Sequence, residues 1–218
     1  MAAMKKFAVI ISGCGAFDGA EIHEAVLTLL AIDRQGASYQ VFAPDIDQYH
    51  VVNHFTGKVM EDKRNVLVEA ARIARGEIMP LRDLDASAFD ALIMPGGFGA
   101  AKNLCTWAYD GDNCKVNPDV EKAIRTMLAK KKPVAAMCIA PVILAKIISG
   151  TNLTTGHDKS SGDFIRKTGS AYTTSNHGEV VIDEANLVFS TPCYMLDASI
   201  SQVAEGADNI VREMLKRM

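Results

Sequence analysis

Apolar residues in this chain fall into short unbroken runs that alternate with stretches of helical spacing. The runs cover residues 7–11, 91–94 and 134–137, and a fourth, 39–43, is interrupted only by Gln40. A continuous apolar run of this length reads as a strand covered on both faces, as in a parallel sheet. Helical spacing follows over 21–34, where Ile22, Ala25, Val26, Leu29 and Leu30 share one face and Gly36 supplies the stop. Residues 65–75, closed by Gly76, and 118–130 repeat the pattern. A helix is also expected from Val142 to Ile148, and a closing one over 198–218. Two short apolar runs, 180–182 and 187–189, flank Asp183-Glu184-Ala185-Asn186 and read as a hairpin. This β-α-β alternation predicts an α/β fold: a mostly parallel central sheet with helices on both faces. No repeat, low-complexity tract or linker interrupts it, so residues 1–218 are expected to form a single domain. Residues 44–64 show no periodicity, and a connection that long in a compact domain is often functional.

Composition narrows the function. The chain has 218 residues, 49% of them hydrophobic, enough for a substantial core. No apolar run reaches the roughly 18 residues that span a bilayer. Net charge is -3, and the longest basic run, Lys130-Lys131-Lys132, sits at a predicted helix C-terminus, where it suits the helix dipole. Neither a nucleic-acid nor a membrane partner is expected. The N-terminus lacks the long apolar segment and cleavage site of a secretory signal. The five cysteines, Cys14, Cys105, Cys114, Cys138 and Cys193, are widely spaced and form no CxxC pair. Reduced thiols in a cytoplasmic protein are therefore expected, with neither a disulfide framework nor a zinc site.

Cys138 is the sharpest candidate for chemistry. It stands between the strand ending at Met137 and the helical pattern that follows. A thiol on a strand-to-helix turn is presented like the nucleophile of a hydrolase elbow, and the helix N-terminus favours its thiolate. The alternative is a small buried core cysteine; from these residues alone both readings stand. Two further strand ends join it, Ser12-Gly13-Cys14-Gly15 and Pro95-Gly96-Gly97. Ligands of open α/β sheets bind at the C-terminal strand ends. Tandem glycines there let backbone N–H groups turn toward an oxyanion, although a plain tight turn uses them too. The first loop lacks a full GxGxxG, so no dinucleotide is inferred.

The chain resembles the ThiJ/PfpI superfamily, and within it the ElbB group, named for enhancing lycopene biosynthesis. The resemblance rests on Ile11-Ser12-Gly13-Cys14-Gly15, Asp18 to Leu27, Arg64 to Gly76, Met94 to Leu104, Met137-Cys138-Ile139-Ala140-Pro141 and Thr191-Pro192-Cys193-Tyr194-Met195. It implies a single flavodoxin-like three-layer domain related to class I glutamine amidotransferases, and a homodimer. It also implies Cys138 as nucleophile, Glu24 as its acidic partner with Glu21 in reserve, and the N–H groups of Gly97 and Ile139 as oxyanion hole. Many superfamily members carry a histidine about twenty residues after the cysteine. Here Gly156 takes that place and His157 is the adjacent candidate. A protonated Glu24 is expected to stabilise the thiolate. Cys14 is expected to pack in a turn, with reach to Cys138 as the alternative. His23, His50, His54 and His177 read as surface or interface residues.

The activity so implied is a glyoxalase III-type conversion of glyoxal, or a related small aldehyde, to the hydroxy acid, without cofactor or metal. Two alternatives stay open. One is an amidotransferase-like amidase. The other is a redox-sensing or regulatory protein, linked to isoprenoid metabolism, that uses Cys138 as an exposed low-pKa sensor.

Overall fold

The computed structural model describes residues 4–218. In chain order the strands are β1 (Lys6–Ile10), β2 (Ser38–Ala43), β3 (Val51–Asn53), β4 (Lys58–Met60), β5 (Ile78–Pro80), β6 (Ala91–Met94), β7 (Val134–Met137), β8 (Asn152–Leu153), β9 (Ala171–Tyr172), β10 (Val181–Asp183) and β11 (Val188–Thr191). The helices are α1 (Ile22–Arg34), α2 (Val66–Ile73), α3 (Trp107–Asp110), α4 (Pro118–Ala129), α5 (Pro141–Ile147), α6 (Lys159–Lys167) and α7 (Ile200–Leu215).

Seven strands form the central sheet in the order β10-β11-β7-β6-β1-β2-β5. All its pairings are parallel except the β10–β11 hairpin at one edge. Helices cover both faces, giving a flavodoxin-like α/β sandwich. The apolar runs of β1, β6 and β7 lie at its centre, and Phe7, Ile10, Leu92, Ile93 and Met94 are fully buried. Each such side chain contributes roughly 1.5–3 kcal/mol by leaving water. Side-chain caps start the helices: Asn65 accepts from Val68 N–H, Asn117 from Asp119 N–H and Asp158 from Ser161 N–H. Ser199 and Gln202 form a capping box on α7. Each cap is worth about 1 kcal/mol.

From β1 the chain winds outward through β2 and β5, then returns to β6 on the opposite side of β1. The gap between β1 and β6 is thus the topological switch point, where the loops at the strand C-termini diverge and leave a crevice.

The structure departs from the sequence pattern in three places. On α1, Ile22, Val26 and Leu30 are exposed, and the buried face is instead Glu24, Ala25, Thr28, Ala31 and Ile32. Of the expected face, Ala25 is buried and Leu29 packs against the core; the rest points outward because the inward face carries a carboxyl and a hydroxyl, both with partners. Thr28 Oγ1 donates to Glu24 O at 2.7 Å and approaches Met137 Sδ at 3.1 Å, locking α1 to the end of β7. Residues 44–64 contain the β3–β4 hairpin. The polar segment Lys159–Lys167 is a helix, with Gly162 seated against the Tyr172 ring.

Candidate active site

Cys138 follows β7 with φ +58°, a left-handed conformation costly for a side chain with a β-carbon. Its N–H donates to Thr191 O at 2.9 Å, which continues the β7–β11 ladder through the turn. α5 starts three residues later. The strained turn aims the sulfur at the crevice.

Three backbone segments converge on it. Gly96 ends the β6 turn with its N–H 2.9 Å from Glu24 Oε2, and Tyr194 N–H lies 3.2 Å from Glu24 Oε1. Gly97 has φ +95°, and a β-carbon there would overlap the backbone of Ala20 and Glu21. Only glycine lets the β6 turn press against the start of α1, where Glu21 N–H donates to Gly96 O at 3.0 Å. Glu21 caps α1 by accepting from Glu24 N–H at 2.8 Å. The cap fixes the first turn and so the direction of Glu24.

Glu24 is fully buried. Burial pushes its carboxyl up to about 7, against the downward pull of the Tyr194, Cys138 and Gly96 donors. Cys138 is 7% exposed. Burial raises its thiol and a charged Glu24 adds to the rise, while the N–H groups of Gly97 and Ile139 act in the opposite sense. The expected exposed, low-pKa thiolate is therefore corrected: desolvation outweighs the start of the short helix α5. Thiol and carboxyl form one coupled acid–base pair, in which burial and the neighbouring carboxyl keep the proton on the sulfur.

The sulfur opens into a cavity of about 420 Å³. Its walls are Ala16, Phe17, Gly97, Phe98, Trp107, Ile139 and Met195, with Glu21, Asp158, Ser160 and Tyr194 as polar groups. The structure thus brings Cys138, Glu24, Gly97 and Ile139 together. His157 is exposed and does not line the cavity; its neighbour Asp158 does. Cys14 lies on the α2 side, where burial and the charges of Glu69 and Asp18 raise its thiol and Arg72 opposes them. The cysteine that shares the field of Glu24 and Cys138 is Cys193, buried and at φ +44°. Among the described residues no cluster of His, Cys, Asp and Glu has the grouping of a metal site.

Sequence reasoning assigned no role to Tyr194 or His54. Tyr194 lines the cavity, and its hydroxyl lies 2.8 Å from His23 Nδ1. Thr191-Pro192-Cys193-Tyr194-Met195 had marked the segment, yet nothing in its composition pointed back to Glu24. His54 is a buttress of the β3–β4 hairpin. Phe17 N–H donates to its Nε2 at 3.2 Å, and Nδ1 lies 3.0 Å from Val52 O, so geometry assigns the ring proton to Nδ1. Val52 N–H donates to Asp18 Oδ2 at 2.7 Å. The hairpin thereby holds the Phe17 wall of the cavity.

An open α/β sheet with a cysteine elbow, a buried carboxyl partner and a crevice at the switch point defines a protein of the glutamine amidotransferase-like class. The model of the DJ-1/PfpI family matches residues 14–205, and the chain belongs to that family. It is 41% identical over 221 residues to the "ES1 protein homolog, mitochondrial" of Rattus norvegicus, across 97% of this chain and 83% of the relative. It is 42% identical over 221 residues to the "Glutamine amidotransferase-like class 1 domain-containing protein 3, mitochondrial" of Homo sapiens, across 97% of this chain and 82% of that one. Among solved structures, an isoprenoid biosynthesis protein with amidotransferase-like domain from Ehrlichia chaffeensis superposes with a TM-score of 0.91 at 35% identity, over 98% of this chain and 100% of that one. A glyoxalase III from Candida albicans shares the fold, with a TM-score of 0.65 at 15% identity over 99% of this chain and 98% of that one. The expected cytoplasmic setting is overturned by these relatives, which are named as mitochondrial proteins. Free thiols argue for a reducing compartment, and that inference does not single out the cytoplasm.

Proposed function

We propose that this protein is an ElbB-like, glyoxalase III-type enzyme that converts glyoxal or a related small aldehyde to the hydroxy acid without cofactor, as a homodimer. The observation that carries the reading is the buried Cys138–Glu24 pair, with Glu24 raised to about 7, facing a cavity of about 420 Å³. Glu24 takes the thiol proton as the sulfur adds to one aldehyde carbon. The N–H groups of Gly97 and Ile139 hold the alkoxide, which is then protonated to a thiohemiacetal. Glu24 removes the proton on that carbon and returns one to the neighbouring carbon through an enediol, which leaves a hydroxyacyl thioester. Water cleaves the thioester to glycolate and restores the thiol. No electrons leave the substrate: one carbon is oxidised as the other is reduced. A base whose pKa lies near the working pH suits both proton transfers.

The amidase reading needs a histidine base, and none lines the cavity. The sensor reading favours an open thiolate, which burial of Cys138 opposes. The test is glycolate formed per active site over many turnovers in EDTA, for parent and Cys138→Ala. Many turnovers by the parent and none by the variant are expected. Equal yields, or less than one glycolate per chain, would reject the enzyme reading, because surface lysines and arginines consume aldehydes without catalysis.

A further inference from the structure

The walls of the cavity carry more than a glyoxal-sized substrate needs. Four aromatic side chains, Phe17, Phe98, Trp107 and Tyr194, border the space above the Cys138 sulfur. Phe17 and Phe98 are about half exposed, so they flank the mouth. Neither is loose. The Phe17 backbone is held by His54 and by Lys102, whose Nζ donates to Phe17 O at 2.8 Å and also lies 5.3 Å from the Phe98 ring centroid. These contacts lower the cost of ordering the two walls when a ligand enters. At about 420 Å³ the space falls in the range that encloses whole ring-bearing ligands. A molecule as small as glyoxal would leave most of it to water.

The charge of the lining is equally one-sided. Glu21 and Asp158 contribute carboxyls, while no lysine or arginine is among the lining residues. Lys102 is spent behind Phe98, on the Phe17 carbonyl. Asp158 is also the cap of α6, its carboxylate accepting from Ser161 N–H at 2.8 Å and Ser161 Oγ at 2.6 Å, so its charge is fixed in position. An anionic substrate would meet two carboxyls and no lysine or arginine among the lining residues, within walls that are mostly apolar. The same arrangement suits a reaction that takes in a neutral aldehyde and makes a carboxylate, because the product is repelled as it forms.

We propose that the cavity selects uncharged substrates bearing an aromatic group and excludes anionic ones; under the glyoxalase reading, on which this rests, the preferred substrates are aryl 2-oxoaldehydes. Transfer of one phenyl ring from water to these walls predicts a gain of about tenfold or more in kcat/KM over glyoxal.

The experiment compares phenylglyoxal, glyoxal and 4-carboxyphenylglyoxal with the parent protein, by hydroxy acid formed. Phenylglyoxal should exceed glyoxal by about tenfold or more, and the carboxylated analogue should fall by about tenfold from phenylglyoxal, less so at high salt. Phe98→Ala should narrow the ratio of phenylglyoxal to glyoxal. Glyoxal turned over as well as phenylglyoxal, or no penalty for the carboxylate, overturns the proposal. A second measurement does not depend on turnover. Trp107 is the single tryptophan of the chain and lines the cavity, so its fluorescence responds to a ligand bound there. In Cys138→Ala, benzyl alcohol should change that fluorescence saturably and mandelate should need a much higher concentration. That difference without turnover of any aldehyde would retain the cavity preference and discard the glyoxalase chemistry. Equal response to both, or response to neither, discards the preference.

Discussion

Gly96 lies so close to Cys138 that a β-carbon on residue 96 would stand 2.9 Å from the Cys138 sulfur and closer still to its β-carbon. The same atom would stand 2.7 Å from Glu24 Oε2. The missing side chain is therefore the space in which thiol and carboxyl meet. Unlike Gly97, Gly96 does not have a positive φ, so alanine is conformationally acceptable there and reports on space alone.

Gly96→Ala is accordingly expected to fold, to lose about 1–3 kcal/mol of stability through overpacking, and to lose nearly all activity. Thermal unfolding and aldehyde turnover measure the two effects. Full activity in this variant would mean that the Cys138–Glu24 approach is not needed for the reaction.

The ionisation of Glu24 makes stability depend on pH. Its folded pKa of about 7 lies above the unfolded value near 4.5. The folded state then binds more protons than the unfolded state between these values. The stabilisation is fully present below pH 4.5 and is lost as pH rises through 7. The stability of the parent relative to Glu24→Gln should fall by about 3 kcal/mol between pH 4 and pH 8. Urea unfolding of both proteins across that range gives the difference directly, and a flat difference would contradict a buried, proton-exchanging carboxyl.

His157→Ala should change activity by less than about threefold, within what an exposed position away from the lining allows. Side-by-side kinetics with Glu24→Gln, which should lose about 10²-fold or more as a lost acid–base group, separates the two candidates. A large loss in His157→Ala alone would put the proton transfer elsewhere.

His54→Ala removes the acceptor of Phe17 N–H and the bond to Val52 O. The loss should cost about 1–2 kcal/mol and leave the Phe17 wall free to move. KM is expected to rise more than kcat falls, since His54 touches the wall and not the reacting sulfur. Steady-state kinetics with phenylglyoxal reads this split, and an unchanged KM would show that the β3–β4 hairpin does not support the site.

Legibility in the sequence followed how local each signal was. β1, β6 and β7 announced themselves as unbroken apolar runs because both faces of a central parallel strand are covered. The edge strand β5 and the helix Lys159–Lys167 did not, since the first is three residues ending in proline and the second is mostly polar around Gly162. The thiol was legible for the same local reason: Cys138 stands where an apolar run stops and a helix begins.

The sequence by itself determined the α/β alternation, the strand-end position of Cys138 and the glycine pair after β6. Only the tertiary structure decided which face of α1 turns inward. Ile22, Val26 and Leu30 of its apolar stripe face outward, while Ala25 and Glu24 face in. A periodicity argument cannot reverse that choice, because the compensation for burying a carboxyl comes from far along the chain. Gly96 N–H and Tyr194 N–H, 72 and 170 residues away, reach Glu24 only once β1 and β6 lie side by side. The proton affinity of the pair has the same origin. Burial sets it, and burial belongs to the assembled crevice and to no single stretch of residues.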